Sequence, residues 1–327
     1  MKVRARRSPL LRKRGEVETV KVILNPYAGR GRGGKVTGEI EAAFRRGNVP
    51  FEIAETSAPG EGISLARRAR LDGYAIVAAA GGDGTVHEVV NGLAEATPED
   101  EQVQGLAVLQ AGSGNDFADM AGSARGIDAA VHAIREGNTR DVDLGRVEAF
   151  DGHNTLRRYF DNNLGMGFEA QVTVESREIK RLRGFVIYLW ATLRALRAYD
   201  QPHFEVGWTD DAGNEHTVAK EMLLVSIGNS RRTGGAFYLT PDAEMDDGLL
   251  DMAFADALSQ LGILNLLPRA MTRTGLHGQK SVSFGRLRSA RIAVRQPVPV
   301  HTDGEILSRN IERLSVEVQP GRLQVIV

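Results

Sequence analysis

The sequence contains no cysteine, which excludes a disulfide framework, a thiolate metal site and a cysteine nucleophile. Any chemistry must come from carboxylates, histidines, hydroxyls or bound metal. Long apolar runs are missing too: no stretch approaches the roughly 20 residues needed to span a bilayer, and the N terminus lacks the apolar core and cleavage site of a secretory signal. The expectation is a cytoplasmic protein. Acids are absent from the first fourteen residues, MKVRARRSPLLRKR, which carry seven Lys or Arg. This basic tail, taken as residues 1–18, is either solvated or drawn to anionic headgroups, at about 1 kcal/mol per basic residue near the surface. None of the seven histidines shows a metal-ligand spacing such as H-E-x-x-H, so none is given a catalytic role.

What is present suits two folded domains. The chain has 327 residues, 42% of them hydrophobic and 25% charged, enough for two separate cores and a cleft. Up to about Val142, short apolar runs alternate with amphipathic stretches, the pattern of βα units on a mostly parallel sheet. Strands are expected at 20–24, 51–55, 75–80 and 106–110, and helices at 34–46, 60–71, 85–96 and 128–136. Beyond this point come Val-, Phe- and Tyr-rich runs broken by turns, such as HFEVGW, MLLVSIGN, LLDMAFA, SARIAV and LSVEVQ. These read as an antiparallel sandwich or barrel interrupted by helices at 177–199 and 259–274. The boundary is placed near residue 145, giving domains at 19–145 and 146–327, with the last residues able to return to the first.

Three glycine-rich junctions follow the early strands. In the first, Asn25-Pro26-Tyr27-Ala28-Gly29-Arg30-Gly31-Arg32-Gly33-Gly34-Lys35, glycines would let backbone amides approach a phosphate ahead of a helix N terminus. Gly29, Gly31 and Gly34 also satisfy G-x-G-x-x-G, with Glu52 or Glu55 about 20 residues on, as a dinucleotide-binding oxidoreductase would need. Pro26 and the four-residue delay disturb that geometry. A phosphate loop of the G-x-x-x-x-G-K-[ST] kind fails at Val36, where a hydroxyl must bind Mg2+. The second junction, Gly81-Gly82-Asp83-Gly84-Thr85, lies between a strand and a helix with Val86, Val89, Val90 and Leu93 on one face, and Thr85 with Glu88 spells a capping box. Asp83 is suited to a Mg2+ ion or its waters and Thr85 to phosphate oxygens. The third is Gly112-Ser113-Gly114-Asn115-Asp116-Phe117-Ala118.

Asn25-Pro26 with Gly29 and Gly31, then Gly81 to Thr85, then Gly112-x-Gly114-Asn115-Asp116-Phe117-Ala118, in this order and spacing, resembles the diacylglycerol kinase catalytic-domain family, which includes bacterial lipid kinases and sphingosine kinases. The likeness extends through Asn163 to Ala170, Gly228-Asn229, Gly234-Gly235 and Pro241 to Asp251. It implies an α/β nucleotide-binding domain of the NAD kinase and phosphofructokinase three-layer kind followed by a C-terminal antiparallel β-sandwich. It implies ATP bound by Asn25, Pro26, Tyr27, Ala28, Gly29, Thr56, Gly81, Gly82, Asp83, Gly84, Thr85, Val86, His87 and Ser113. It implies a structural Mg2+ at Asp247, with oxygens from Glu244 and the Leu249 carbonyl. It implies Glu305 of His301-Thr302-Asp303-Gly304-Glu305 as the base that accepts a lipid hydroxyl proton, with Asp303 beside it to orient it or to help manage Mg2+.

The function expected is therefore transfer of the γ-phosphoryl of Mg-ATP to a lipid hydroxyl, diacylglycerol first among acceptors. An NAD kinase shares the G-G-D-G-T turn and a two-domain plan but phosphorylates a soluble dinucleotide; the N-P-x-A-G opening and the terminal D-G-E favour a lipid kinase, and an oxidoreductase explains only the first loop. A non-catalytic binding module would have no use for Glu305. The partners expected are a lipid substrate met by peripheral contact with a membrane and no nucleic acid, while an exposed edge strand leaves room for a homodimer. The basic tail and the 178–200 helix, with Phe185, Ile187, Trp190, Leu193 and Leu196 among arginines, are the candidate membrane contacts.

Overall fold

Val20, Val22 and Leu24 alternate along the first described strand of the core, and this period of two sets one face of a parallel sheet against helices. The computed structural model describes residues 6–7, 12–13, 16–28, 33–112, 114–179 and 185–327. It divides into two units, one formed by residues up to Leu144 together with Pro320–Val327, the other by Gly145–Gln319.

In the first unit the order along the chain is β1 (Val20–Leu24), α1 (Gly33–Gly47), β2 (Phe51–Glu55), α2 (Glu61–Leu71), β3 (Ile76–Gly81), α3 (Asp83–Glu95), β4 (Val103–Gln110), α4 (Asp116–Ala121) and α5 (Ile127–Glu136). The sheet order is β2-β1-β3-β4, all parallel, and the strand segment at Leu323 and Val325 adds alongside β4, also parallel. Val20, Val22, Leu24, Ile76, Ala78, Ala80 and Leu109 bury against Ile40, Ala43 and Phe44 of α1 and Val131 and Ile134 of α5. The alternate residues Ile23, Val77, Ala79 and Val108 are equally buried on the other face, where α2 and α3 lie. Helices on both faces make the three layers expected, and each fully buried Leu, Ile or Phe contributes about 1.5–3 kcal/mol. In the tail, Arg6–Arg7 pairs antiparallel with Asn138 and Thr139, so this part of the basic segment is a strand rather than free chain.

In the second unit, β5 (Asn138–Phe150, which begins in the first unit) leads to β6 (Thr155–Phe160), β7 (Asn163–Gly167), α6 (Phe168–Glu178), α7 (Phe185–Ala198), β8 (His203–Thr209), β9 (Glu215–Gly228), β10 (Leu250–Asp256), α8 (Gln260–Ala270), β11 (Val282–Leu287), β12 (Ser289–Thr302) and β13 (Glu305–Ile326). Pairing is antiparallel throughout: β11-β10-β9-β7-β12-β13 in one order, with β6 on β5. β7 and β8 share the same two neighbours, each pairing with one half of β9 and one half of β12. Phe160, Met166, Phe204, Ile227, Met252, Ile292, Val300 and Leu314 fill the sandwich core.

Three local expectations are corrected. β4 starts at Val103 rather than at residue 106. The single helix expected over 177–199 is two, because α6 ends at Glu178 and Ile179 turns extended. The capping box at Thr85 and Glu88 does not form: the cap of α3, Gly82, makes no side-chain bond, and Glu88 instead accepts from the Gly60 and Gly62 amides at 2.8 Å each. A carboxylate at that helix start satisfies donors that lack intrahelical partners, so Glu88 caps α2 and not its own helix.

Candidate active site

Order 2-1-3-4 places the reversal of strand order between β1 and β3, and in open α/β sheets ligands bind outside the carboxyl ends of the strands at such a point. The first two glycine junctions follow β1 and β3. Asn25 joins them: its N–H donates to the Ala80 carbonyl at 3.0 Å, its side-chain amide to Thr85 Oγ1 at 3.3 Å, and its Oδ1 accepts from the Tyr27 N–H at 3.0 Å. The third junction is tied in by Asp83, whose N–H donates to the Gly114 carbonyl at 3.2 Å and whose Oδ1 accepts from the Phe117 N–H at 3.2 Å. The Ala111 and Gly112 amides both donate to the Gly81 carbonyl, at 3.1 and 3.0 Å. A Cβ on Gly112 would lie 2.3 Å from Gly82 Cα, so only glycine lets these two backbones meet.

The rim thus brings together Asn25, Gly81, Gly82, Asp83 and Thr85, with Gly84 in the first turn of α3, where helix amides lack intrahelical carbonyls. Pro26, Tyr27 and Ala28 form the turn after β1, with Tyr27 exposed. Thr56 is buried at the end of β2, its N–H donating to the Leu24 carbonyl at 2.9 Å. Val86 and His87 are buried along α3, and Asn91 donates to the His87 carbonyl at 2.9 Å, so both side chains sit in the helix packing. Gly29 and Ser113 lie outside the described residues. In chemistry the rim fits a polyphosphate: glycine backbone, a hydroxyl, an amide and the N-terminal turn of α3 offer donors and positive potential.

The second unit holds the acid of the D-G-E turn. Asp303, at φ 51°, accepts through Oδ1 from the Asn162 and Asn163 amides at 2.9 and 2.8 Å and through Oδ2 from Asp161 at 3.1 Å, while its own N–H donates to the Asn163 carbonyl at 2.8 Å. Its carboxylate is therefore a clasp on the start of β7. Beside it, Glu305 is ion-paired with Arg177 at 2.6 Å, and Arg177 also donates to the Gly304 carbonyl at 2.9 Å. Gly304 donates its N–H to His301 Nδ1 at 3.2 Å, and Nε2 of this buried ring lies 3.4 Å from Glu169. Asn163 in turn donates to Glu169 at 2.8 Å and accepts from the Thr233 hydroxyl at 2.8 Å. His301, for which no catalytic role is expected, is a support of the turn, as are Arg177, Glu169 and Asn163. Arg177 and Glu169 lie more than a hundred residues from the turn they support, which leaves no local signal for those contacts.

The acidic turn after β9 is less ready for metal. Glu244 pairs with Arg231 at 3.2 Å, Asp247 ion-pairs with Arg286 and accepts from the Leu249 N–H at 3.1 Å, and Arg286 Nε lies 3.9 Å from Asp251. Among the described residues, no three acidic or imidazole groups converge into a cation cage. Burial nevertheless pushes the Asp251 carboxyl up to about 6, and Asp247 upward too; for Asp251, Arg286 opposes the shift while Asp247, Asp242 and Glu244 add to it. The oxygen donors suit a hard cation in kind, but arginines already hold them in number.

Residues 19–147 match the diacylglycerol kinase catalytic domain, and residues 162–327 match the YegS C-terminal NAD kinase beta sandwich-like domain. A Pseudomonas aeruginosa protein named "Probable lipid kinase YegS-like" is 32% identical over 87% of this chain and 87% of its own length. One of the same name from Pseudomonas savastanoi pv. phaseolicola is 30% identical over 86% of this chain and 85% of its own. The crystal structure of a diacylglycerol kinase from Bacillus anthracis str. Sterne superposes with a TM-score of 0.69 at 23% identity, covering 94% of this chain and 96% of that one, and shares the fold. Fold and rim together define a two-domain kinase of the α/β plus β-sandwich type. The chain belongs to the diacylglycerol kinase catalytic-domain family of lipid kinases, with the YegS-type second domain.

Proposed function

We propose that the protein phosphorylates a lipid hydroxyl, with Mg-ATP as donor and diacylglycerol as acceptor, giving phosphatidic acid and ADP. The observation that carries this reading is the junction of three glycine loops at the switch point of the sheet, stitched by Asn25 to Thr85 and by Asp83 to Phe117. ATP brings the transferable phosphoryl group, and a divalent cation would neutralise its charge.

Asn25, Tyr27, Ala28, Gly29, Thr56, Gly81 to His87 and Ser113 are the residues proposed to surround the nucleotide, with Pro26 shaping the turn and Asp83 directed to Mg2+ or its waters. Glu305 is proposed to accept the proton of the acceptor hydroxyl as its oxygen bonds to the γ-phosphorus and the bond from that phosphorus to the bridging oxygen breaks. Asp303 orients this acid through its clasp on β7. Glu244, Asp247 and the Leu249 carbonyl would hold a structural Mg2+ only where Arg286 yields its place on Asp247. The acceptor is met at a cytoplasmic membrane surface by peripheral contact.

The test is transfer of labelled phosphate from Mg-ATP to a panel of lipids in mixed micelles, with NAD as a soluble control and Glu305→Gln beside wild type. Labelled lipid from wild type alone supports the reading. Labelled NAD, or an unimpaired variant, overturns the acceptor or the base.

A further inference from the structure

No described helix is long and apolar enough to cross a membrane, yet two helices of the second unit turn apolar side chains to the outside. On α7, Ala191, Thr192, Ala195 and Leu196 are buried while Trp190 and Leu193 are 53% and 39% exposed. On α8, Ile263 and Ala270 are buried, and the opposite stripe is Leu261, Leu264 and Pro268, the two leucines 79% and 37% exposed. A helix facing only water would carry polar residues there.

The two helices are neighbours. Ala195, Leu196 and Ile263 share one apolar cluster, and the Gln260 side chain donates to the Leu196 carbonyl at 3.0 Å. Their buried faces share that cluster, and each helix carries its apolar stripe on the side away from it.

Charge says what covers them. Residues 180–199 and 259–280 carry five and three Lys or Arg and none of the chain's 42 acids. Arg194 is ion-paired with Glu175 at 2.8 Å and Glu178 at 3.2 Å, and Arg197, Arg269, Arg273 and Lys280 are exposed. We infer that the outer faces of α7 and α8 form a docking surface for an anionic lipid bilayer, with Trp190, Leu193, Leu261 and Leu264 entering the acyl boundary and the exposed cations meeting the headgroups. Apolar burial and attraction to anionic lipid act together in such interfacial helices. This rests on the proposed activity, whose acceptor is a lipid, and adds α8 to the surface that meets it.

The experiment is sedimentation of the full chain with phosphatidylcholine vesicles, with and without phosphatidylglycerol, in the absence of ATP and of any acceptor. Wild type is expected to sediment with the anionic vesicles. Leu261→Ser/Leu264→Ser should weaken partitioning at least about tenfold, and Arg269→Glu/Arg273→Glu by about fivefold or more per charge removed, with unchanged melting temperatures. Phosphotransfer in detergent micelles is measured separately on the same variants, so a failed kinase assay and a failed docking surface are told apart. Wild type that ignores anionic vesicles, or variants that bind as well as wild type, would overturn the inference. So would a dimer that dissociates in Leu261→Ser/Leu264→Ser, since a second copy would then cover the face.

Discussion

The Arg177 guanidinium lies 2.6 Å from the Glu305 carboxylate and donates to the Gly304 carbonyl at 2.9 Å, so one side chain holds both the proposed base and the turn that presents it. Arg177→Ala should lower kcat for lipid phosphorylation by roughly 10- to 100-fold through misplacement, leave the KM for ATP unchanged, and be partly rescued by Arg177→Lys. Glu305→Gln should lose about 10²–10⁴-fold. Steady-state kinetics on the three variants decide the matter, and equal rates for wild type and Glu305→Gln would remove that acid from the chemistry.

Asp303 accepts three backbone amides from residues 161–163. Asp303→Ala leaves those donors without their charged acceptor and should cost about 2–4 kcal/mol of stability. Asp303→Gly accommodates the positive φ but restores no acceptor, so denaturant unfolding of the two variants separates backbone strain from lost bonding. Similar losses for both would assign the effect to the carboxylate.

At the rim, Asn25→Ala removes the link between the first two loops and should raise the KM for ATP about fivefold, the worth of one such hydrogen bond. Gly112→Ala inserts a methyl 2.3 Å from Gly82 Cα; overpacking of this kind costs typically 1–3 kcal/mol, and ATP binding by calorimetry should fall by at least about tenfold. Unchanged ATP affinity in both variants would place the nucleotide elsewhere.

Burial raises Asp251 from 3.8 to about 6. The folded protein then holds this proton more tightly than the unfolded chain, so its contribution to stability declines as pH climbs from about 4 to about 6 and stays lower above. Asp251→Asn should accordingly raise the melting temperature at pH 7.5 and do little at pH 4. Arg286→Ala should destabilise in metal-free buffer, since Asp247 and Asp251 lose their partner, and should gain a melting-temperature rise with Mg2+ that wild type shows weakly. Thermal scans with and without Mg2+ check both signs.

Local chemistry made the first unit legible. Strand-turn-helix junctions at Asn25, Gly81 and Gly112 are written in contiguous residues, and the near-continuous apolar runs of β1 and β3 match strands buried on both faces. The short helix α4 went unread because its six residues carry too few turns to show a period. The break after Glu178 was hidden by an apolar rhythm that continues across it, with no proline to mark the boundary. Glu88 was misassigned because a capping box and a cap for a neighbouring helix look the same in sequence; the choice was settled by the Gly60 and Gly62 amides. The acid Glu305 was readable from its motif, but its partner Arg177 was not, because a contact across so many residues exists only once the sandwich has formed.

Leu323 and Val325 sit beside β4 in the first unit, buried completely, although the whole of Gly145–Gln319 separates them from the rest of that unit. During synthesis at ~5–20 residues per second, the parallel sheet must wait on the order of ten seconds or more with its β4 edge uncovered. The ribosome delivers the closing segment only after Gly145–Gln319 has been made. The half of the enzyme that is made first is therefore finished last, and a kinase rim assembled this way is completed only on a chain that already carries its other half.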